Sequence, residues 1–313
     1  MGHIPYHSTL YIRPAYHSFW EMINGEHHQW IITGTPGIGK TFFAFFMFSK
    51  IRETQPDSII ARVDAYRMFI FYPNGDVYSP ASRTVPDEIA SDEKNWVIAD
   101  AVTTRFEGMN CRTVVLTSPR MEGYKRHRKA GFQVRCMPVW DLEEIRTVHA
   151  RVYPHLDLTK VEDIFEIWGG VPRTVLQFAN DKSWQRHLRS SLHISTIENC
   201  MKFDGGESYE SIDDVCGRLV HEVPMDDKYI DTQVRWASQK LASFALDALV
   251  SKNATDAMNL VLSTQGIGSF GSLRGHLFEK LGHRIVSAGG TFTVRDLETG
   301  SISEETFDSR QVF

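Results

Sequence analysis

The sequence predicts an α/β fold, with a parallel sheet flanked by helices, then a helical lid subdomain and a small α+β segment toward the C-terminal end. Three observations predict it. Short apolar runs alternate with longer helical stretches over residues 1–140. A glycine-rich turn joins the first apolar run to the first long helix, and from Asp141 onward the apolar spacing becomes helical.

Trp30-Ile31-Ile32-Thr33 reads as the first strand, ending in Gly-Thr-Pro-Gly, and Lys40 to Ile51 as the helix that follows. That helix is apolar nearly all round, so it is expected to be buried against the sheet. Ser58 to Val63, Trp96 to Ala99 and Thr113 to Leu116 are short enough to be further buried strands. Tyr66 to Val77 places a Pro-Asn-Gly-Asp turn between aromatic-rich arms, the pattern of an inserted β-hairpin. Asp141-Leu-Glu-Glu is a capped helix start, and Gly169-Gly170-Val171-Pro172 a break before another helix. Asp204 to Asp214 is acidic with a glycine pair and reads as a loop or linker, after which Thr232 to Ser263 reads as helical. A helix from about Leu273 to Ala288, Gly289-Gly290 and an alternating strand from Thr291 to Leu297 close the chain. The expected units are a core over 1–140, a lid over 141–203, a helical region over 204–268 and the α+β segment over 269–313.

A chain of 313 residues suits two or three packed units. Its 42% hydrophobic, 12% aromatic and 23% charged residues exclude disordered, collagen-like and coiled-coil classes. With 34 Lys+Arg against 39 Asp+Glu, the net charge of -5 carries no global nucleic-acid signature. Cys111, Cys136, Cys200 and Cys216 are widely spaced and read as reduced, mostly buried thiols. The N-terminal stretch has no basic-then-apolar export pattern, and Tyr6 stands where a myristoylation signal needs Ser or Thr. The most apolar run, Phe42 to Phe48, is far short of the roughly 18 residues of a membrane span. These features read as an intracellular protein without membrane contact.

Gly34-Thr35-Pro36-Gly37-Ile38-Gly39-Lys40-Thr41 matches the phosphate-loop pattern of P-loop NTPases, in the strand-to-helix context the motif requires. A backbone wrapped round a pyrophosphate needs residues that accept positive φ and close approach, so that successive N–H groups form an anion nest. Lys40 would add a point charge for the β- and γ-phosphates, and Thr41 a hydroxyl for Mg²⁺. The expected ligands are therefore ATP and Mg²⁺. ATP is preferred to GTP because the Asn-Lys-x-Asp base-reading motif of small GTPases is missing.

A magnesium site also calls for a carboxylate at the end of a neighbouring strand. Asp100 closes the Trp96 to Ala99 run, and Asp64, after Val63, is its rival. Ala101 follows Asp100 where AAA+ ATPases usually carry the Glu that polarises the attacking water, so hydrolysis is less secured than binding. Thr117-Ser118-Pro119 ends the next strand, and Ser118 is the candidate for the γ-phosphate position called sensor 1.

Taken in order, Gly34 to Thr41, Trp96 to Asp100, Thr117-Ser118-Pro119, Met137-Pro138-Val139-Trp140 and Gly169-Gly170-Val171-Pro172-Arg173 resemble the NTPase region of the Crinkler effectors of oomycetes and fungi. That family is similar in turn to the retrotransposon hot spot proteins of trypanosomes. The resemblance implies an AAA+/STAND-like ATPase core with Arg173 as the lid residue, sensor 2, reaching the γ-phosphate. It also implies a secreted effector acting in the host nucleus, although the export and translocation modules of secreted members do not appear here.

In the same family a nuclease-like domain often follows the ATPase. Arg274-Gly275-His276-Leu277-Phe278-Glu279, with His283 one turn on, resembles its opening helix, but no Glu/Gln-x-Lys pair follows before Phe313. Glu279 and His283 therefore read as an ordinary exposed helical face, with Glu279 as a metal-side acid the alternative. Arg120, Lys125, Arg126, Arg128, Lys129 and Arg135 are opposed only by Glu122 and read as a solvated loop, with DNA phosphates or a neighbouring subunit's ATP as alternative partners. His27-His28 lacks companion ligands, so no metal is assigned there.

Three functions follow from these features. The first is a Mg²⁺-dependent ATP-binding switch or ATPase in which Lys40, Asp100, Ser118 and Arg173 act on the triphosphate. The second is a DNA-directed effector acting on host nuclear DNA or nuclear proteins under control of its ATPase. The third is a STAND-like scaffold that self-associates and hydrolyses slowly.

Overall fold

The computed structural model describes residues 9–102, 104–118, 122–190, 216–252 and 271–309. The Asp204 to Asp214 segment, Cys200, Arg120 and residues 253–270 lie outside them.

At the centre is a mixed sheet of seven strands in the order β4-β3-β2-β5-β6-β1-β7. β1 (Gln29–Thr33), β2 (Ile60–Val63), β5 (Trp96–Asp100), β6 (Arg112–Leu116) and β7 (Gln133–Cys136) are parallel, in register Ile31↔Val115, Ala61↔Val97, Ile98↔Val114 and Ile31↔Val134. The two remaining strands, β3 (Met68–Phe71) and β4 (Val77–Tyr78), form the hairpin expected between Tyr66 and Val77 and extend the sheet antiparallel beyond β2. Within the turn, Asn74 accepts from the Asp76 amide and Gly75 takes φ +91, the left-handed backbone such a hairpin turn needs.

The parallel strands read as continuous apolar runs because both of their faces are covered. Trp30, Ile32, Trp96, Ile98, Val114 and Leu116 belong to one buried cluster, while the alternate residues Ile31, Val97, Ala99 and Val115 belong to a second. The first cluster is built against α1 (Pro14–Ile23) and α2 (Lys40–Thr54), through Tyr16, Phe19, Trp20, Phe43, Phe46 and Met47. α2 is less enclosed than its composition predicts. Phe42 and Phe45 are 45% and 43% exposed, and the Arg62 guanidinium lies 4.3 Å over the Phe45 ring.

α1 was not expected from the sequence. Pro14 opens it, and its buried residues Ala15, Tyr16, Phe19, Trp20 and Ile23 form one helical stripe between polar neighbours. The short α3 (Asp87–Ala90) follows β4. The basic cluster expected as a solvated loop is instead largely α4 (Glu122–Lys129), with Arg135 on β7.

The helical part begins where the sequence places it. Asp141 caps α5 (Leu142–Val152) in a reciprocal capping box, its carboxylate accepting from the Glu144 amide at 2.8 Å while Glu144 accepts from the Asp141 amide at 3.2 Å. α6 (Leu158–Trp168) ends at Gly169, and Gly170 has no space for a side chain because the Trp140 backbone fills it. The helix expected after the break is a single π turn, Arg173–Gln177, following Pro172. α7 (Lys182–Ser190) and the short α8 (Cys216–Leu219) follow.

Residues 232–236, expected as helix, are strand β9 (Thr232–Trp236), which pairs antiparallel with β8 (Val220–Pro224). α9 (Gln239–Lys252) is fixed to α6 by a Lys240–Glu166 ion pair at 2.9 Å and by Ser238 Oγ donating to the Ile167 carbonyl at 2.7 Å. α10 (Gly271–Ser287) and the hairpin β10 (Gly290–Arg295) with β11 (Ile302–Phe307) end the described chain. No helix among the described residues is long and apolar enough to cross a membrane.

Candidate functional site

The loop from Gly34 to Lys40 joins the end of β1 to the start of α2, at the carboxyl edge of the parallel strands, where open α/β sheets form ligand crevices. Its shape depends on three glycines in left-handed or extended positive-φ backbone, Gly34 at +133, Gly37 at +87 and Gly39 at +104. Close packing adds to this requirement. A Cβ on Gly34 would stand 2.7 Å from the Met137 carbonyl, and one on Gly37 would stand 3.1 Å from Cβ of Arg173.

Four loop carbonyls accept side-chain hydrogen bonds. Lys40 Nζ donates to the Gly34 carbonyl at 2.6 Å and the Thr35 carbonyl at 3.1 Å. Trp140 Nε1 donates to the Ile38 carbonyl at 2.7 Å, and the Tyr16 hydroxyl to the Gly39 carbonyl at 3.0 Å. In a trans peptide the N–H points opposite to the C=O, so the Trp140 and Tyr16 bonds direct the amides of Gly39 and Lys40 away from those two side chains. Gly39, the N-cap of α2, has no side chain to cap the helix, so the first-turn N–H groups and the positive end of the helix dipole remain available to an anion.

The charges around this loop are few and close. Burial, with a smaller push from Arg173, lowers the Lys40 pKa to about 8 against the opposing pull of Cys136, Glu222 and Asp100. Asp100, at the end of β5, accepts a hydrogen bond from the Thr41 hydroxyl, and burial raises its pKa against the influence of Thr41, Arg62 and Lys40. A paired hydroxyl and carboxylate offer hard oxygen donors of the kind that suit Mg²⁺.

The strand carrying Asp100 is not the immediate neighbour of β1, because β6 lies between them. The carboxylate reaches Thr41 across that strand. Its rival Asp64 accepts from the amides of Tyr66 and Arg67 at 2.8 and 2.9 Å, closing the turn into β3. Ala101, directly after Asp100, takes φ +53, a left-handed conformation unusual for a residue with a side chain.

Ser118 is half-buried just beyond β6, where its carbonyl accepts from the buried Thr117 hydroxyl at 3.2 Å. Arg173 is brought against the loop at Gly37, as the π turn leaves the Gly169-Gly170-Val171-Pro172 break. Thr35, Pro36 and Ile38 form the remainder of the loop, with the Ile38 side chain fully buried.

One group at this site has no counterpart in the sequence reading. β8 packs beside β7 and carries Glu222 to the loop, where the Glu222 amide donates to Thr35 Oγ1 at 3.2 Å and Thr35 Oγ1 lies 3.4 Å from the Glu222 carbonyl. Burial raises the Glu222 carboxyl to a pKa of about 7, opposed by Lys40 and by a hydrogen bond from Thr232. No local sequence pattern could have found it, since Thr35 and Glu222 are 187 residues apart.

The chain is 25% identical over 308 residues to Crinkler effector protein 16 of Phytophthora infestans, covering 92% of this chain and 48% of that protein. It is 25% identical over 311 residues to Crinkler effector protein 15 of the same organism, covering 93% of this chain and 48% of that protein. The similarity supports the Crinkler family. The chain spans about half the length of the Crinkler effectors it matches. No profile of a known protein family matches the chain.

Away from the loop, the other sequence candidates are spread out. Glu279 and His283 are exposed on α10. The His28 ring contacts the Asn110 carbonyl at 3.3 Å and His27 packs edge-on against Trp30, both at the opposite edge of the sheet from the loop. Among the described residues no three His, Cys, Asp or Glu side chains form a metal-binding group. Cys111 and Cys136 are buried free thiols.

Proposed function

We propose that this chain binds ATP with Mg²⁺ at the loop from Gly34 to Thr41 and forms the nucleotide-controlled half of a Crinkler-type effector, as an ATPase or nucleotide switch. The observation that carries this reading is the convergence of Lys40, the hydrogen-bonded loop carbonyls and the Thr41–Asp100 pair at one end of one sheet. The amides of the loop and Lys40 would hold the phosphates. Thr41 and Asp100 would hold the metal, which neutralises phosphate charge. Ser118 and Arg173 are the candidates for the γ-phosphate, and the guanidinium of Arg173, always charged, suits an anion whose loss the lid must register.

The strand order supports the same reading, because β6 between β1 and β5 brings the ends of all three to the loop. The names of the two relatives supply the word effector, and action in a host nucleus is part of this proposal.

The test is titration calorimetry with Mg²⁺ and ATP. The wild type binds, Lys40→Ala does not, and Thr41→Ala loses the dependence on Mg²⁺. Wild-type affinity in Lys40→Ala contradicts the proposal.

A further inference from the structure

The loop site contains a second carboxylate beside Asp100. Among the described residues Glu222 and Asp100 are the two carboxylates whose charge reaches Lys40, and they differ in how they are engaged. Asp100 is paired with the Thr41 hydroxyl, whereas Glu222 Oε2 is buried with no hydrogen-bond partner. Oε1 has only a long contact of 3.4 Å from the Thr232 hydroxyl. A buried acceptor left unsatisfied is costly and calls for a reason. Its neighbours do not supply one, since Lys40 gives its hydrogen bonds to the loop carbonyls of Gly34 and Thr35.

The same site has a deficit elsewhere. Residue 101, which would polarise water in the AAA+ pattern, is an alanine and brings no carboxylate to that place. Resting on the nucleotide reading above, we propose that Glu222, delivered by β8 from outside the central sheet, is the catalytic residue that activates water for hydrolysis of the γ-phosphoryl group. In that step the water oxygen bonds to the γ-phosphorus as the bond from that phosphorus to the β–γ bridging oxygen breaks. Glu222 Oε2 takes one proton of the water, ADP leaves with the bridging oxygen, and inorganic phosphate is released.

The groups facing Glu222 are Lys40 on α2, Cys136 on β7, Tyr124 on α4 and Thr232 on β9. Burial pushes both the Cys136 thiol and the Tyr124 phenol up, so near neutral pH neither adds a charge, and among the described residues Lys40 is the ion that faces Glu222. With Glu222 titrating near about 7, kcat/KM should rise through that value as the carboxylate forms.

The test compares wild type and Glu222→Gln by ATP-binding calorimetry and single-turnover phosphate release across pH, with thermal melting as the check on folding. The variant is expected to bind ATP as well as the wild type, to release phosphate about 10²–10³-fold more slowly and to lose the acid limb of the profile. Should Glu222→Gln fold poorly, Glu222→Asp retains the carboxylate at shorter reach and should show an intermediate rate with the limb preserved. Equal rates in wild type and Glu222→Gln, or ATP binding by the wild type without phosphate release, overturns this assignment alone. Failure of the wild type to bind ATP overturns the nucleotide reading as well.

Discussion

Arg13 and Glu144, 131 residues apart, form a two-pronged ion pair, Nε to Oε1 at 2.7 Å and Nη2 to Oε2 at 2.9 Å, with Arg13 only 1% exposed. The same guanidinium donates to the Pro138 and Val139 carbonyls and lies 4.9 Å over the Trp140 ring. Glu144 also completes the capping box of α5. The start of α1, the segment after β7 and α5 are thereby fixed together around Trp140, whose indole holds the Ile38 carbonyl of the loop.

Removing one partner of such a pair leaves a buried charge uncompensated. Arg13→Ala should therefore lower stability by about 3–5 kcal/mol in chemical denaturation. The double variant Arg13→Met with Glu144→Leu should recover much of that loss. A change in Arg13→Ala no larger than that of a surface substitution would refute the clamp.

Gly37 and Gly75 share a left-handed backbone, at φ +87 and +91, but differ in surroundings. A side chain on Gly37 meets Arg173 and Val171 at 3.1 Å, whereas one on Gly75 meets nothing within 4 Å. Alanine at either position should cost about 1–2 kcal/mol in backbone strain. Only Gly37→Ala should also weaken ATP binding, and equal affinities for the two variants would separate the loop from the Arg173 turn.

The Glu222 carboxyl carries a pH signature in stability. Its folded pKa of about 7 lies above the ordinary 4.5, so between these values the folded chain retains a proton that the unfolded chain has released. Stability contributed at this position is present at low pH and is lost as pH rises through about 7. Glu222→Gln should consequently melt higher than wild type at pH 8, with the difference shrinking toward pH 4. A difference independent of pH would show that the carboxyl is not buried as described.

Lys40, lowered to about 8, gives a complementary signature in binding. A triphosphate beside the ammonium favours its charged form, so binding above pH 8 should take up a proton. Calorimetry in buffers of different ionisation enthalpy reads that uptake directly, and a heat independent of buffer would contradict it.

Much of the core was legible because its signals are local. β1, β5 and β6 are unbroken apolar runs, the Asn74-Gly75 turn fixes a hairpin, and Asp141 with Glu144 spells out a cap. The parts that escaped are those whose pattern is diluted or distant. In β7, Gln133-Val-Arg-Cys is a polar edge strand with Cys136 its one fully buried residue. The alternation Thr-Gln-Val-Arg-Trp of β9, with Val234 and Trp236 inward and Arg235 outward, was present but overshadowed by the helical period that begins at Gln239. Glu222 depends on β8 crossing to Thr35, a contact that no window of sequence contains.

The most direct measurement is a crystal structure grown with Mg²⁺ and a non-hydrolysable ATP analogue. The account predicts phosphates against the amides of the Gly34 to Lys40 loop, with Lys40 turned from its own carbonyls onto them and the metal between Thr41 and Asp100. An analogue bound elsewhere on the protein, with Lys40 still hydrogen-bonded to Gly34 and Thr35, would contradict it.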